Sequence, residues 1–391
     1  MRIMRIAIPS LMVLTAASGI SAGATRYAKV TATGQADCSC WADACTLATA
    51  ITGATSGDEV WAQSGTYGPI ALKSGVQIIG GFTGTTETSA SQSNPTANVT
   101  VIDGGGSRAV ESEDDNSATV LRGFYIRNGN DTGTDGGGGM LIEDSSAIIV
   151  NCVFEDNLAT MWGAAVAIRG TSSPQFINCT FRDNGWVDSE QTTNVKPLAG
   201  AAIYNYTGSP TFVNCLFHEN VSGDGAVLAN TDQGSATFIN CTMADNTATV
   251  GGGGAVHDEY GDVVIRNSVL WGNTAADGGD QVYSKGSSVT TVTHSDVQGG
   301  WGGAGNIDSD PKFVNPSADD YKLLLNSPCK EKGHNASLPT DIGDLDWDGN
   351  TSEPLPLDLN LNPRTRACNV DMGAYEVQAG TCGGGGGGGP E

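Results

Sequence analysis

The sequence predicts an all-β solenoid, that is, a chain wound into stacked coils of short strands. The segment FINCTFRDN occurs in five related copies, and successive copies begin 27, 36, 26 and 27 residues apart. A repeat of this length is typical of solenoids, in which each unit buries its apolar side only against its neighbours. The units are rich in β-branched residues and glycine, which favour strands and turns over helices. The copies begin at Ile149, Phe176, Phe212, Phe238 and Ile265.

The inward-facing positions change parity at the first asparagine of each copy. The constant apolar residue lies two positions before this asparagine, whereas cysteine and a second apolar residue lie one and three positions after it in most copies. Because side chains alternate between the two faces of a strand, the chain must turn a corner at the asparagine. Asparagine tolerates the left-handed conformation that a tight corner requires. We expect its amides to hydrogen-bond from coil to coil at the strand spacing of about 4.8 Å.

A third inward strip completes each coil. A second asparagine follows six residues after the first, and a Gly-rich turn with another apolar segment follows it. Three short strands per coil define a right-handed parallel β-helix, which is the predicted fold. Residues 45–54 predict the single amphipathic helix, which we expect to cap the open N-terminal end. The predicted organisation is a signal peptide at 1–24, the cap with irregular first coils at 25–118, regular coils at 119–314, a C-terminal module at 315–376 and a Gly-rich tail at 377–391.

The N-terminus and the overall charge predict an exported protein. Arg2 and Arg5 precede a short apolar run, and Ala22-Gly23-Ala24 offers a cleavage site, as in a secretory signal peptide. An uncleaved N-terminal anchor is the alternative. The formal net charge of −24 disfavours nucleic acid and anionic membranes as partners. We therefore expect a monomer that is secreted or displayed at the surface of a bacterium, without membrane insertion of the mature chain.

Two resemblances to known families support this expectation. The Gly-rich turns and the Phe-x-x-Asn units resemble polymorphic outer-membrane-protein repeats, which implies a pectin-lyase-like β-helix. DPKFV at 310–314, SPC at 327–329 and DMGAYE at 371–376 resemble the choice-of-anchor Q domain. These resemblances imply an exported or surface-displayed protein in a family that normally precedes an anchoring tail. The tail VQAGTCGGGGGGGPE then predicts a flexible tether or the remnant of an anchor.

The predicted function is adhesion or glycan binding without catalysis. The connection after the second asparagine varies most in length, so insertions gather on one edge of the solenoid. Indole faces beside carboxylates there would stack on and hydrogen-bond a sugar or a surface protein. Alternatively, the tryptophans only cover the flank of the coils. The residues of this edge are Trp162, Trp186, Asp188, Glu190, Asp224 and Asp277.

A polysaccharide lyase or glycoside hydrolase is the alternative function. Such enzymes need carboxylates at fixed separation, or a basic residue beside a cation. The sequence contains neither a Gly-His-Gly nor an Arg-x-Lys signature, and its four histidines share no repeat position. His218 lies between Phe217 and Glu219 in a predicted strand, and we expect it to face solvent.

The segment DLDWDGNTSE predicts a calcium site as the only cofactor site. Asp344, Asp346 and Asp348 precede Gly349 with the alternate spacing of a calcium loop. Leu355 occupies the twelfth position, where such a loop carries an acidic ligand. Asn350 or Glu353 could complete the site. An acidic turn without a metal is the alternative.

The ten cysteines fall into an interior group and a terminal group. Cys152, Cys179, Cys215 and Cys241 are expected to form a stack of buried thiols, with disulfides between coils as the alternative. Export favours disulfides in the irregular terminal regions. One bond is predicted among Cys38, Cys40 and Cys45, with Cys38 and Cys45 as the pair, and a second between Cys329 and Cys368. A zinc site at Cys38-x-Cys40 lacks a second pair of ligands.

Overall fold

The fold is a right-handed parallel β-helix, as predicted. A computed structural model describes residues 23–185, 199–364 and 369–378. Three parallel sheets of ten, nine and eight strands run along this part of the chain, and successive coils contribute one strand to each sheet. We number them first, second and third in the order in which a coil passes through them.

The strands are short because each coil passes through all three sheets within one repeat. The first sheet contains Thr25–Ala28, Glu59–Gln63, Gln77–Phe82, Val120–Arg122, Ile148–Val150, Gln175–Ile177, Thr211–Val213, Ser235–Ile239, Asp262–Arg266 and Val289–Thr293. The second contains Gly65–Tyr67, Thr100–Asp103, Tyr125–Arg127, Val153–Glu155, Thr180–Arg182, Leu216–His218, Thr242–Ala244, Val269–Trp271 and Asp296–Val297. The third contains Ile70–Ala71, Val110–Glu113, Met140–Glu143, Val166–Arg169, Ile203–Asn205, Leu228–Asn230, Val256–Glu259 and Val282–Lys285.

Smaller elements lie at the corners and ends. Two short parallel sheets pair Asn130–Asp131 with Leu158–Ala159, and Val221–Ser222 with Thr247–Ala248 and Thr274–Ala275. Phe313–Asn315 and Asp320–Leu323 form an antiparallel pair. The helices are the α-helix Leu47–Gly53 and the 3₁₀ turns Ala90–Gln92, Pro316–Ala318 and Asn335–Ser337. In the described part of the chain, none of these helices has the length and apolar character needed to cross a membrane.

The first corner has the predicted asparagines in the left-handed conformation. Their φ angles lie between 51° and 53° at Asn151, Asn178, Asn214, Asn240 and Asn267. The apolar residues on both sides of this corner are completely buried, and their rings stack from coil to coil. Ring centroids lie 5.1 Å apart for Phe176 and Phe212, and 4.7 Å apart for Phe212 and Phe238. The change of parity at the asparagine therefore produces the corner and fills the interior.

The second corner carries a buried ladder of side-chain amides. The second asparagine of one coil donates from Nδ2 to Oδ1 of the second asparagine in the following coil. The four distances are 3.0, 3.0, 2.9 and 2.8 Å. The left-handed residue at this corner is the one before the asparagine, such as Asp183 or Glu219. A column of acidic side chains therefore lies at the second corner. The ladder consists of Asn157, Asn184, Asn220, Asn246 and Asn273.

The N-terminal helix lies against the first strands of the solenoid. Thr46 caps it by accepting a hydrogen bond from the Thr49 amide at 3.4 Å. Leu47, Ala50 and Ile51 are buried and join the core of the coils. The prediction of a short capping helix at residues 45–54 is confirmed, with the helix three residues shorter in all.

Residues 311–364 and 369–378 pack along the outside of the first corner, and we call these two described segments the C-terminal strap. Asn178 Nδ2 donates to the Asp358 carbonyl at 2.9 Å, and Asn214 Nδ2 donates to the Leu357 carbonyl at 2.7 Å. Two further coils make equivalent bonds through Nδ2 of their corner asparagines to the Asp371 and His334 carbonyls. The strap also covers outward apolar side chains of the first sheet with Leu345 and Leu355. Four first-corner asparagines thus donate hydrogen bonds to backbone carbonyls of the strap.

The strap overturns one expectation from the sequence. His218 was expected to face solvent, but its side chain is only 1% exposed. The side chain does point away from the interior of the coil, and Tyr321 of the strap lies over it at a ring distance of 5.0 Å. The expectation was wrong because the covering residue lies about a hundred positions further along the chain.

Candidate functional site

The candidate site is a groove on the outer face of the third sheet. It has a volume of about 910 Å³ and lies over the strands Ile203–Asn205, Leu228–Asn230 and Val256–Glu259. Its walls come from the turn before each strand and the turn after it. The lining combines aromatic rings with acidic and hydroxyl side chains, which are Trp162, Tyr204, Tyr206, Asp224, Thr231, Asp232, His257, Glu259 and Tyr260.

The depth of the groove comes from one small residue in its floor. Tyr204, Ala229 and His257 are paired neighbours on adjacent strands, so their side chains form one outward column. Neighbouring strands lie about 4.8 Å apart, and a methyl group between two rings leaves a depression. Gly225 lies in the turn before the strand Leu228–Asn230, with φ 53° in the left-handed region, where a side chain would strain the backbone.

A second buried amide ladder supports the floor. Asn205 Nδ2 donates to Asn230 Oδ1 at 2.7 Å, and Asn230 Nδ2 donates to Asp258 Oδ1 at 2.9 Å. All three side chains are completely buried. Burial raises the pKa of Asp258, and the hydrogen bonds from Asn230 and Thr290 act against this rise. The ladder fixes the spacing of the three strands and hence of the residues above them.

One wall of the groove is a stacked aromatic pair. The Trp162 and Tyr204 rings lie 4.9 Å apart with an interplanar angle of 22°. Trp162 is half-buried, and its backbone pairs with Ala199, which in turn pairs with Asp224. The indole is therefore held at the edge of the groove by both its ring and its backbone. Flat, rigid and partly exposed aromatic surfaces of this kind suit stacking against a ligand ring.

His257 lies between two carboxylates in the groove. Its Nδ1 is 3.6 Å from Asp224 Oδ1, and its Nε2 is 3.9 Å from Glu259 Oε2. The Nδ1 atom is buried and has no hydrogen-bond partner among the described residues. The Tyr283 ring supports the imidazole edge-to-face at 5.2 Å. The imidazole of His257 can therefore donate a hydrogen bond, and the carboxylates of Asp224 and Glu259 on either side of it can accept hydrogen bonds.

The groove contains part of the predicted glycan-binding edge. Trp162 and Asp224 both line it, whereas Asp277 is not part of its lining. Trp186, Asp188 and Glu190 belong to residues 186–198 and lie outside the described residues. Sequence reasoning missed the lining residues in and directly after the strands of the third sheet, which are Tyr204, Tyr206, Ala229, His257, Glu259 and Tyr260. Their signal is the period-two alternation within AAIYNY, GAVLAN and GAVHDEY, read across neighbouring coils.

The carboxylates in residues 341–353 of the strap form two overlapping groups. One oxygen from each member of a group lies within 4.8 Å of the others, and the groups are Asp344, Asp346 and Asp348, and Asp341, Asp346 and Glu353. Asp344 Oδ1 accepts a hydrogen bond from the Gly349 amide at 3.2 Å, which closes the loop. An all-oxygen ligand set of this kind suits Ca²⁺.

Asp341 is the member of these groups that sequence reasoning missed. Its side chain is completely buried, and its Oδ1 has no hydrogen-bond partner among the described residues. Burial raises the pKa of Asp341 to about 6, and the charges of Asp346 and Asp344 add to this rise. A buried carboxylate oxygen without a donor, facing other carboxylates, is the environment that a cation relieves.

Among the described cysteines, two form a disulfide and six are free thiols. Cys38 and Cys45 are bonded at an S–S distance of 2.04 Å. Cys152, Cys179, Cys215 and Cys241 are buried free thiols that donate to backbone carbonyls. The Cys329 thiol donates to Asp296 Oδ2 at 3.0 Å, and Cys368, its predicted disulfide partner, lies outside the described residues.

The match to a family model agrees with the fold, and two solved structures show a distant likeness. The family described as a right handed beta helix region matches residues 73–232. A crystal structure of pectate lyase Pel9A is 15% identical over 92% of this chain and 97% of that chain, with a TM-score of 0.45. A 1,3-α-1,4-β-D-galactose-4-sulfate-3,6-anhydro-D-galactose-2-sulfate 4 galactohydrolase is 16% identical over 78% of this chain and 62% of that chain, with a TM-score of 0.30.

These likenesses do not assign an activity to the chain. No curated protein sequence matches it. The family match ends before the strap, so the resemblance of residues 310–376 to the choice-of-anchor Q domain stays a prediction. Function must be argued from the groove.

Proposed function

We propose that the protein is an extracellular glycan-binding protein that holds a saccharide in the groove of the third sheet. The observation that carries this proposal is the stacked pair of Trp162 and Tyr204 beside the depression at Ala229. A pyranose ring presents an apolar face to an aromatic ring and hydroxyl groups at its edge. The volume of about 910 Å³ lies within the range of ordinary ligand pockets.

The charge of the groove indicates the class of glycan. Asp224, Asp232 and Glu259 line it, and no described lining residue is lysine or arginine. These carboxylates accept hydrogen bonds from sugar hydroxyls and repel uronate or sulfate groups. The preferred ligands are therefore neutral oligosaccharides or sugars with amino groups rather than acidic polysaccharides.

Binding is tested by titrating purified protein with neutral and amino-sugar oligosaccharides chosen from a glycan array. Trp162→Ala removes the stacking surface, and we expect at least a tenfold weaker affinity, equivalent to about 1.4 kcal/mol. Trp162→Phe keeps an aromatic face and should retain most of the affinity. Equal affinity of wild-type protein and Trp162→Ala for every bound glycan would exclude this groove.

The acidic residues are tested with a pair of variants at equivalent places in the sheet. Glu259→Gln alters the groove, whereas Glu143→Gln alters an exposed position on an earlier strand of the same sheet. We expect only Glu259→Gln to change the affinity for amino sugars. The same incubations are assayed for new reducing ends and unsaturated products, because release of either would favour the alternative function as a hydrolase or lyase.

We further propose that the acidic loop of the strap binds Ca²⁺. The support is the unpartnered buried oxygen of Asp341 beside Asp346 and Glu353. Saturating Ca²⁺ at a hundred times its Kd would stabilise the fold by about 2.7 kcal/mol. We expect a higher Tm in Ca²⁺ than in EDTA for wild-type protein and for the exposed control Asp114→Asn, and no such difference for Asp341→Asn. A Tm of wild-type protein that is indifferent to Ca²⁺ would contradict this assignment.

We also propose that the protein acts outside the cell as a monomer. The support is the charged and apolar pattern of residues 1–24 together with the disulfide between Cys38 and Cys45. Mass spectrometry of the native exported protein should find a mature N-terminus near Thr25, and light scattering should give the mass of one chain. A precursor that retains residues 1–24 would favour the N-terminal anchor instead.

A further inference from the structure

A second cluster of chemistry-bearing side chains lies where residues 319–321 of the strap reach the second corner, on a different face from the groove. His218 ends a strand of the second sheet, and Glu219 follows it in the left-handed corner position at φ 55°. Asp319 belongs to the strap and lies in the left-handed turn after Pro316–Ala318. His218 Nδ1 is 3.5 Å from Glu219 Oε2 and 3.9 Å from Asp319 Oδ1.

The histidine of this cluster has no hydrogen-bond partner at the atom that faces the carboxylates. Its side chain is 1% exposed, and its Nδ1 is buried without a partner among the described residues. Burial lowers the pKa of His218 to about 4. Buried polar atoms almost always have a partner, so this one requires an explanation.

The surrounding charges are mostly negative. Burial and the charges of Asp319, Asp183 and Asp245 raise the pKa of Glu219. Among the described residues, Arg182 is the cation paired with Asp319. Its Nη1 is 3.9 Å from Asp319 Oδ2, and its Nη2 is 2.5 Å from Glu155 Oε2. Asp319 Oδ1 faces His218 instead. The cluster therefore combines one imidazole nitrogen with two carboxylate oxygens in surroundings that are mostly negatively charged.

The spacing of these atoms suits a small transition-metal ion. Zinc binds histidine nitrogen and carboxylate oxygen at about 2.0–2.1 Å, which places neighbouring ligands of a tetrahedral ion about 3.3 Å apart. All three ligand atoms lie within 4.8 Å of one another, and the side chains of Glu219 and Asp319 are 46% and 45% exposed, so they can move. An imidazole ligand favours zinc and its neighbours in the first row over Ca²⁺ or Mg²⁺.

We propose that His218, Glu219 and Asp319 bind a divalent first-row transition-metal ion, with water in the remaining position. Two ligands come from a coil of the β-helix and one comes from the strap. The bound ion joins the strap to the second corner, where it also supplies the partner that His218 Nδ1 lacks. This site is separate from the acidic loop, whose ligands are all oxygen atoms.

The test is titration of metal-free full-length protein with Zn²⁺ by calorimetry, with millimolar Ca²⁺ present to occupy the acidic loop. We expect one Zn²⁺ per chain and a higher Tm in its presence. Asp319→Asn should weaken Zn²⁺ binding at least tenfold, whereas Asp320→Asn, the adjacent control that pairs with Lys322, should not. Asparagine tolerates the left-handed conformation of position 319, so this variant keeps the turn.

Two further measurements separate this site from nonspecific binding. Glu219→Gln tests the second carboxylate without altering the buried histidine, and circular dichroism checks that each variant folds. Substitution with Co²⁺ should give a visible absorption band typical of low coordination number, and this band should be lost in Asp319→Asn. Absence of Zn²⁺ binding, or equal Zn²⁺ affinity in wild-type protein, Asp319→Asn and Glu219→Gln, would overturn the proposal.

Discussion

Replacement of Asn220 by alanine should destabilise the β-helix more than its small change in size suggests. Its Nδ2 donates to Asn246 Oδ1 at 2.9 Å and to the Phe181 carbonyl at 2.9 Å. Its Oδ1 accepts from Nδ2 and the backbone amide of Asn184 at 3.0 and 3.2 Å. Alanine leaves the Asn184 amide and the Phe181 carbonyl without these partners in a completely buried place. At about 1–3 kcal/mol for each of these two buried orphaned groups, we expect a loss of roughly 2–6 kcal/mol.

The assay is equilibrium urea unfolding, followed by far-ultraviolet circular dichroism and by tryptophan fluorescence. Both probes are needed because solenoids unfold in segments when neighbouring coils are uncoupled. Asn116→Ala, at an exposed position, is the control and should lose less than about 1 kcal/mol. A loss below about 1 kcal/mol for Asn220→Ala, or equal losses in the two variants, would refute the role given to the amide ladder.

Three further predictions concern the core, a buried carboxylate and the disulfide. Phe217→Ala should cost about 3–5 kcal/mol, measured by urea unfolding, because the completely buried ring stacks on Phe181 at 4.7 Å. Burial raises the pKa of Asp296 to about 6 in the folded protein, above its value of about 3.9 in an unfolded chain. Its ionisation therefore opposes folding above pH 6, and this opposition disappears as the pH falls from 7 to 4, a gain of up to about 3 kcal/mol that Asp296→Asn should lack. Reduction of the Cys38–Cys45 bond should lower the unfolding free energy by about 2.5 kcal/mol, and should have no such effect on Cys45→Ser.

Each of these predictions has an outcome that contradicts it. A Phe217→Ala protein as stable as wild type would mean that the coil collapses around the missing ring. Parallel pH profiles for wild-type protein and Asp296→Asn would remove Asp296 as a source of the pH dependence. An unfolding midpoint that is unchanged by reductant would show that the disulfide does not restrain the unfolded chain.

The sequence predicts the interior of the β-helix well because each interior contact joins equivalent positions of neighbouring coils. Phe176 stacks on Phe212 because the two residues occupy the same position in neighbouring repeats. The corner conformation is also local, since one asparagine supplies the left-handed residue at each first corner. These features repeat, so one copy predicts the next.

The groove and the strap contacts are harder to predict because they join residues that are not equivalent. The depression at Ala229 depends on larger side chains at the same position in the coils before and after it. His218 has the outward parity of its strand, but its burial depends on Tyr321, which no local pattern connects to it. Asp341 precedes the recognisable acidic motif, and only the folded loop brings it to Asp346 and Glu353.

The strap restricts changes in the number of coils of this protein. Solenoids commonly grow or shrink by duplication or loss of a repeat, because each repeat touches only its neighbours. Here four consecutive coils each donate one asparagine amide to a carbonyl of the same strap. An additional coil inside this stretch would move the later asparagines about 4.8 Å from their carbonyls. The positions of the strap carbonyls therefore set the number of coils beneath the strap, and this number can change only together with the strap.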